Sequence, residues 1–189
     1  MALEAFAGQP QYNVLALNIQ PMHAARLNGY GMRVNFEGAI CIGSGSPTVA
    51  YTQVFRNGVI EAVRVGLLGG GERTPDLIPS LAYEEALVTY VPHCFEILTT
   101  LGCNPPVVVG ISLIGVRGQK MALDGHHQLM MGPSGEIDRD VLVLPEILVA
   151  DLSARAGPLL KPVLDLVWNA CGYDGSIYFD QNGNWNGRR

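Results

Sequence analysis

Tyr51-Thr-Gln-Val-Phe-Arg-Asn-Gly-Val-Ile-Glu-Ala-Val63 sets Asn57-Gly58 between two runs rich in β-branched and aromatic residues. Asn and Gly accept the positive φ angles of a type I′ turn, whose twist matches that of the strands on either side. The stretch predicts a β-hairpin with a two-residue loop, in which Phe55 stands opposite Ile60 and Arg56 opposite Val59. In that register Arg56 and Glu61 become diagonal neighbours on one face, either as an exposed ion pair or as a partner contact.

Working outward, Val34 to Ile42 predicts a strand, and Gly43-Ser-Gly-Ser-Pro47 a turn into the hairpin, so that three strands follow as a meander. Gly69-Gly-Gly71 through Pro79 reads as a flexible connection. Ser80 then caps a helix with acidic residues at Glu84 and Glu85 in its first turn. Tyr83, Leu87, Val91, Cys94, Leu98 and Leu101 recur at helical spacing as one apolar stripe, Pro92 predicts a kink, and Gly102 ends the helix. Val107 to Val116 reads as a long central strand, Asp124 to Gly135 as polar loop, and Val141 to Leu144 as a strand whose end Pro145 places at an edge or bulge. Pro158 and Pro162 suit the entry of a second helix striped by Val163, Leu166, Val167 and Ala170. Ile177 to Trp185 predicts another hairpin around Asn182-Gly183. The expected fold is α+β: an antiparallel sheet of hairpins and meander covered on one face by two main helices. Residues 1–33 form an irregular N-terminal segment, and 34–187 a single domain.

The chain has 189 residues, 48% hydrophobic and only 15% charged, with a formal net charge of -5. So little charge leaves a thin polar surface and predicts a protein partner or self-association. The acidic balance and a pI of about 5.3 argue against direct nucleic-acid binding, which needs clustered Lys and Arg. No run reaches the roughly 18 apolar residues of a membrane span. Met1-Ala-Leu-Glu-Ala-Phe6 shows no secretory leader. Cys41, Cys94, Cys103 and Cys171 lie far apart, as reduced thiols in a cytoplasmic protein would.

The residues that could carry chemistry each have a plainer reading. Gly43-Ser-Gly45 and Gly69-Gly-Gly71 lack the Lys-Ser/Thr and helix start of a phosphate loop. Asp180, Asn182 and Asn184 alternate like calcium ligands, but the glycine falls at the wrong position. His126-His127 beside Asp124 lacks a second ligand cluster, and a solvated loop explains it. His93 and Cys94 are adjacent on a helix and cannot face one another as base and nucleophile. Asp165 and Asn169, one helical turn apart beside Trp168, read equally well as a recognition patch and as surface decoration around a helix anchor. The candidate interaction surface is therefore Arg56, Glu61, Asp165, Trp168 and Asn169; no catalytic residue, metal site or cofactor is expected.

Tyr51 to Val63, Ile111-Ser-Leu-Ile-Gly-Val-Arg-Gly118, Leu144-Pro-Glu146 and Pro162-Val-Leu-Asp-Leu-Val-Trp-Asn-Ala-Cys-Gly172 together resemble the C-terminal region of bacterial proteins assigned as DNA-binding or ATP-binding. Those proteins begin with a Schlafen-AlbA-like domain. The resemblance runs from about Leu3 to Trp185 and implies a fragment, or a stand-alone copy, of the C-terminal half. The acidic and glycine-rich segments of that N-terminal domain have no counterpart here, so the resemblance transfers no nucleotide, nucleic-acid or catalytic residue. The function expected is that of a non-enzymatic accessory module for assembly or sensing. The alternatives are a small-ligand sensor with a pocket between sheet and helices, and a hydrolase-type enzyme using Asp124, His126 and His127.

Overall fold

The computed structural model describes residues 31–43, 50–68 and 76–187. The glycine-rich stretches after Gly43 and after Leu68, and the reading of residues 1–30, fall outside them. The fold is α+β, and the described residues divide into two compact units: 31–65 with 93–104, and 66–92 with 105–187.

In the first unit, β1 (Met32–Val34), β2 (Gly38–Ile42), β3 (Ala50–Phe55) and β4 (Ile60–Arg64) form an antiparallel sheet in the order β1-β2-β3-β4. The strand predicted over Val34 to Ile42 is thus two strands. Asn35 turns the chain between them, its side chain accepting from the Gly38 N–H at 2.8 Å. The meander gains β1 from residues read as irregular. The central hairpin forms, but its register differs from the prediction. Val54 faces Ile60 and Gln53 faces Glu61, so Phe55 stands opposite Val59 and the loop is the three residues Arg56, Asn57 and Gly58. The Gly58 N–H donates to Phe55 O at 3.0 Å, Gly58 takes φ +85°, and Asn57 Oδ1 accepts from the Val59 N–H. This is a type I turn closed by a left-handed glycine, the other hairpin that Asn-Gly supports. Phe55 and Ile60 therefore lie on opposite faces.

Ala39, Cys41 and Val54, buried on one face of this sheet, pack with Ile97 from α1 (Ser80–Thr100), and Ile60 and Leu101 complete the cluster. Helix α1 gives its residues from His93 onward to this unit and its earlier turns to the other. It ends as the sequence predicts: Gly102 has φ +76°, and the Cys103 N–H reaches back to Leu98 O at 2.9 Å.

The second unit contains β5 (Leu77–Pro79), β6 (Val107–Val109), β7 (Ser112–Ile114), β8 (Lys120–Ala122), α2 (Gly125–Met131), β9 (Val141–Val143), β10 (Ile147–Val149) and α3 (Ala156–Ala170). Strands β5 and β8 pair in parallel, whereas β6 pairs with β10 and β7 with β9 antiparallel. The segment expected to be loop between Asp124 and Gly135 contains α2, because the Asp124 carboxylate caps it by accepting the His127 N–H at 2.9 Å. Helix α3 buries Ala156, Leu160, Val163, Leu164, Val167 and Trp168. Val163 and Val167 of the predicted stripe are buried, but Leu164 and Trp168 complete it in place of Leu166, which is 41% exposed, and Ala170. Phe179 bridges Trp185 across the turn at Asn182-Gly183.

Candidate functional site

Two features of the second unit depart from what an ordinary core and surface would show. The first is a buried charge. Glu84, read from the sequence as one of two acids in the first helical turn, has no exposed surface. Both tryptophans of the chain donate to it: Trp168 Nε1 to Oε1 at 2.7 Å and Trp185 Nε1 to Oε2 at 2.8 Å. The Tyr83 hydroxyl adds a longer bond of 3.3 Å. Burial pushes the Glu84 carboxyl above its ordinary value; hydrogen bonds from Ser176, Trp168, Trp185 and Tyr83 act the other way without cancelling it. Burial likewise pushes the Tyr83 phenol well up, helped by the charge of Glu84. The Trp168 ring lies edge-on to Tyr173 and Tyr178, and the Tyr178 hydroxyl shares a 2.8 Å hydrogen bond with Ser80.

This cluster is an anchor. Trp185 comes from the C-terminal turn, Trp168 from α3 and Glu84 from α1, so one carboxylate ties three separate segments. A Cβ at Gly157 would sit 3.2 Å from the Trp185 backbone nitrogen, a tight contact that marks how closely α3 approaches the C-terminal turn.

The second feature is on the surface. Val109 pairs with Ile147 and Ser112 with Val143. Between these pairs Gly110 and Ile111 face Leu144, Pro145 and Glu146, and the Leu144 N–H donates to Ile111 O at 3.0 Å. Strands β6 and β7 on one side, with β9 and β10 on the other, therefore make one antiparallel ribbon interrupted by a β-bulge, where Pro145 was read as an edge or bulge residue. Along Val107 to Ile114 burial alternates without a break: 107, 109, 111 and 113 turn inward, and 108, 110, 112 and 114 outward. The outward face carries Val108 (58% exposed) opposite Leu148 (68%), Ile114 (72%) opposite Val141 (40%), and Val143 (76%) opposite Ser112. The opposite face buries Leu113, Leu144 and Val149. The strand read as central is one side of a two-stranded ribbon.

The residues predicted as an interaction surface are engaged locally. The Arg56 Nε donates to Phe36 O at 3.3 Å, and Glu61 accepts the Tyr51 hydroxyl; they make no pair with each other, because the three-residue loop changes their register. Trp168 is fully buried and cannot be surface. Asp165 pairs with Lys161 at 2.6 Å and accepts the Ser176 N–H, while Asn169 donates to Tyr173 O and Asp174 O. Both hold the loop after α3 in place.

Asp124 is occupied as the α2 cap and as partner of His127 Nδ1 at 2.8 Å, which keeps its carboxyl below the ordinary value, chiefly through the His127 N–H. Among the described residues no group of three or more His, Cys, Asp or Glu is placed to hold a metal ion, and no helix is long and apolar enough to cross a membrane. A shallow hollow of about 530 Å³ lies beside Arg139, Leu142, Leu166 and Asn169, and its Arg139 is paired with Asp138 at 2.8 Å.

One signal for the ribbon face was present in the sequence. Val107-Val-Val109, Val141-Leu-Val143 and Ile147-Leu-Val149 are unbroken apolar triplets, the pattern of strands covered on both faces. Comparison with known proteins adds no assignment: no family model, curated protein or solved structure matches the chain.

Proposed function

We propose that this chain is a non-enzymatic assembly module, acting through protein contact at the outward face of the β6-β7/β9-β10 ribbon. The context we propose is the one its motifs resemble, an accessory part of a bacterial Schlafen-AlbA-like DNA-binding protein. One observation carries the reading: strands apolar on both faces are, among the described residues, covered on only one. A contiguous exposed apolar face of this kind is a candidate docking site. The other unusual feature, the Glu84 cluster, has its carboxylate fully buried and serves to hold the C-terminal segment. A photoreactive benzophenone side chain placed at Val143, in cells, tests this. It is expected to give a discrete protein–protein crosslink that the same group at exposed Gln181 does not give. No crosslink from position 143 above that control would sink the reading.

A further inference from the structure

We infer that residues 176–186 form a strap that undocks from the rest of the second unit as one piece and, in doing so, uncovers Glu84. The inference is independent of the assembly reading, since it concerns how this unit opens and not what meets the ribbon.

The strap satisfies its own backbone. The Asp180 N–H donates to Asn184 O at 2.9 Å, the Gly183 N–H to Asp180 O at 3.0 Å and the Asn186 N–H to Tyr178 O at 2.8 Å. The Asp180 side chain closes the same loop, its Oδ1 accepting the Asn182 and Asn184 N–H groups. The one β-bridge of the segment, Phe179 with Trp185, is also internal. Undocking breaks none of these bonds, so the strap can leave without unfolding its own loop.

The ties to the rest of the unit run through side chains. Trp185 Nε1 donates to Glu84 Oε2 at 2.8 Å, and the Tyr178 hydroxyl bonds Ser80 Oγ at 2.8 Å. Arg155 Nη1 donates to Asn184 Oδ1 at 2.6 Å, and Asp165 Oδ1 accepts the Ser176 N–H at 2.9 Å. Lys161 Nζ stands 5.2 Å from the centre of the Phe179 ring. A segment held by a few such contacts and by no sheet ladder opens at a free energy below that of global unfolding. Just before the strap the attachment is of another kind. The Tyr173 N–H bonds Trp168 O at 3.1 Å, and Asn169 Nδ2 donates to the carbonyls of Tyr173 and Asp174. The chain is thus pinned to α3 as far as Asp174, and Gly175 is the pivot.

Closed, the strap supplies one of the two indoles bound to the buried Glu84 carboxylate. Open, it leaves that carboxylate with Trp168 and Tyr83 and admits water to Oε2. The strap is a lid whose closure takes a charged group out of solvent.

Native-state hydrogen exchange on the purified chain, read at single amides by NMR, tests the inference. The amides of Asp180, Gly183, Asn184 and Asn186 are expected to share one opening free energy, below that of Leu164 and Val167 in the buried turns of α3. Two substitutions at separate ties then decide whether these amides open together. Arg155→Ala removes the bond to Asn184 and leaves the start of α3 intact, since the Arg155 side chain makes no capping bond there. Tyr178→Phe removes the bond to Ser80 and keeps a ring against Trp168. Each is expected to speed exchange at all of the strap amides by a common factor of about two- to tenfold. Strap amides as well protected as Leu164 and Val167, or a substitution that speeds only the amides nearest to it, would overturn the proposal.

Discussion

Replacing Trp185 by Phe keeps an aromatic ring in place and removes one N–H from the Glu84 carboxylate. That bond is 2.8 Å long and reaches a carboxylate with no exposed surface. A hydrogen bond to a charged group contributes about 1.5–3 kcal/mol, and the smaller ring forfeits about 1 kcal/mol of burial. The expected loss is about 3 kcal/mol, a large fraction of the roughly 5–15 kcal/mol that holds a domain folded. For a chain of this size it lowers Tm by about 6–12 °C. Trp168, the other of the chain's two tryptophans, binds the same carboxylate, so fluorescence of the variant reports directly on the damaged cluster. The decisive assay is a double-mutant cycle with Glu84→Leu. Once the carboxylate is gone the Trp185 N–H has no acceptor there, and its removal should cost little. A coupling of about 1.5 kcal/mol or more is expected. Losses that add within about 0.5 kcal/mol would mean the indole–carboxylate bond contributes nothing, and would refute the anchor.

Glu84 also sets a pH dependence. Its folded value is raised, chiefly by burial, so the stability it contributes is full below the ordinary carboxyl value of about 4.3. That stability is lost as pH rises through the folded value. Relative to Glu84→Gln, which does not titrate, the wild type should lose stability across that window, and a difference that stays flat with pH would show that Glu84 titrates normally. Gly38→Ala should disrupt the β2–β3 ladder, since its Cβ would fall 2.0 Å from Val54 O at φ +158°. The expected cost is on the order of 3 kcal/mol, read as lost amide-exchange protection in that ladder; unchanged protection would contradict the close approach.

The sequence made element types legible where one local signal dominates. Gly102 ends α1 because left-handed backbone there suits glycine alone, and Asn57-Gly58 marks a hairpin. The register of that hairpin was not legible. Asn-Gly serves both a two-residue and a three-residue loop, and the Asn57 side-chain bond to the Val59 N–H belongs to the longer one. One residue of difference exchanges the faces of Phe55 and Ile60 and separates Arg56 from Glu61. Glu84 was misread because an acid in a first helical turn is ordinary; its burial depends on two tryptophans 84 and 101 residues away. A buried indole needs an acceptor, yet nothing local says which carboxylate supplies it. Helix α2 was missed because it buries nothing and so shows no apolar period.

The bulge shows how the buried face of the ribbon is kept apolar. Continuing the Ser112–Val143 register without an extra residue would set Val108 opposite Ile147 instead of Leu148. Ile147 would then turn outward and Leu148 and Glu146 inward, carrying a carboxylate toward the buried side at a cost that burial of an unpaired charge makes prohibitive. With the extra residue, the side chains of Val149 and Leu144 enter the core, while Leu148 joins Val108, Ile114, Val141 and Val143 on one outward plane. The bulge thus repairs the buried face, a need that any stable ribbon has. The stability of the isolated chain places no matching demand on the outward face, where polar residues at 108, 114, 141, 143 and 148 would be tolerated. That all five are aliphatic is a choice the buried face of the ribbon does not impose, and it is the composition on which the proposed assembly role rests.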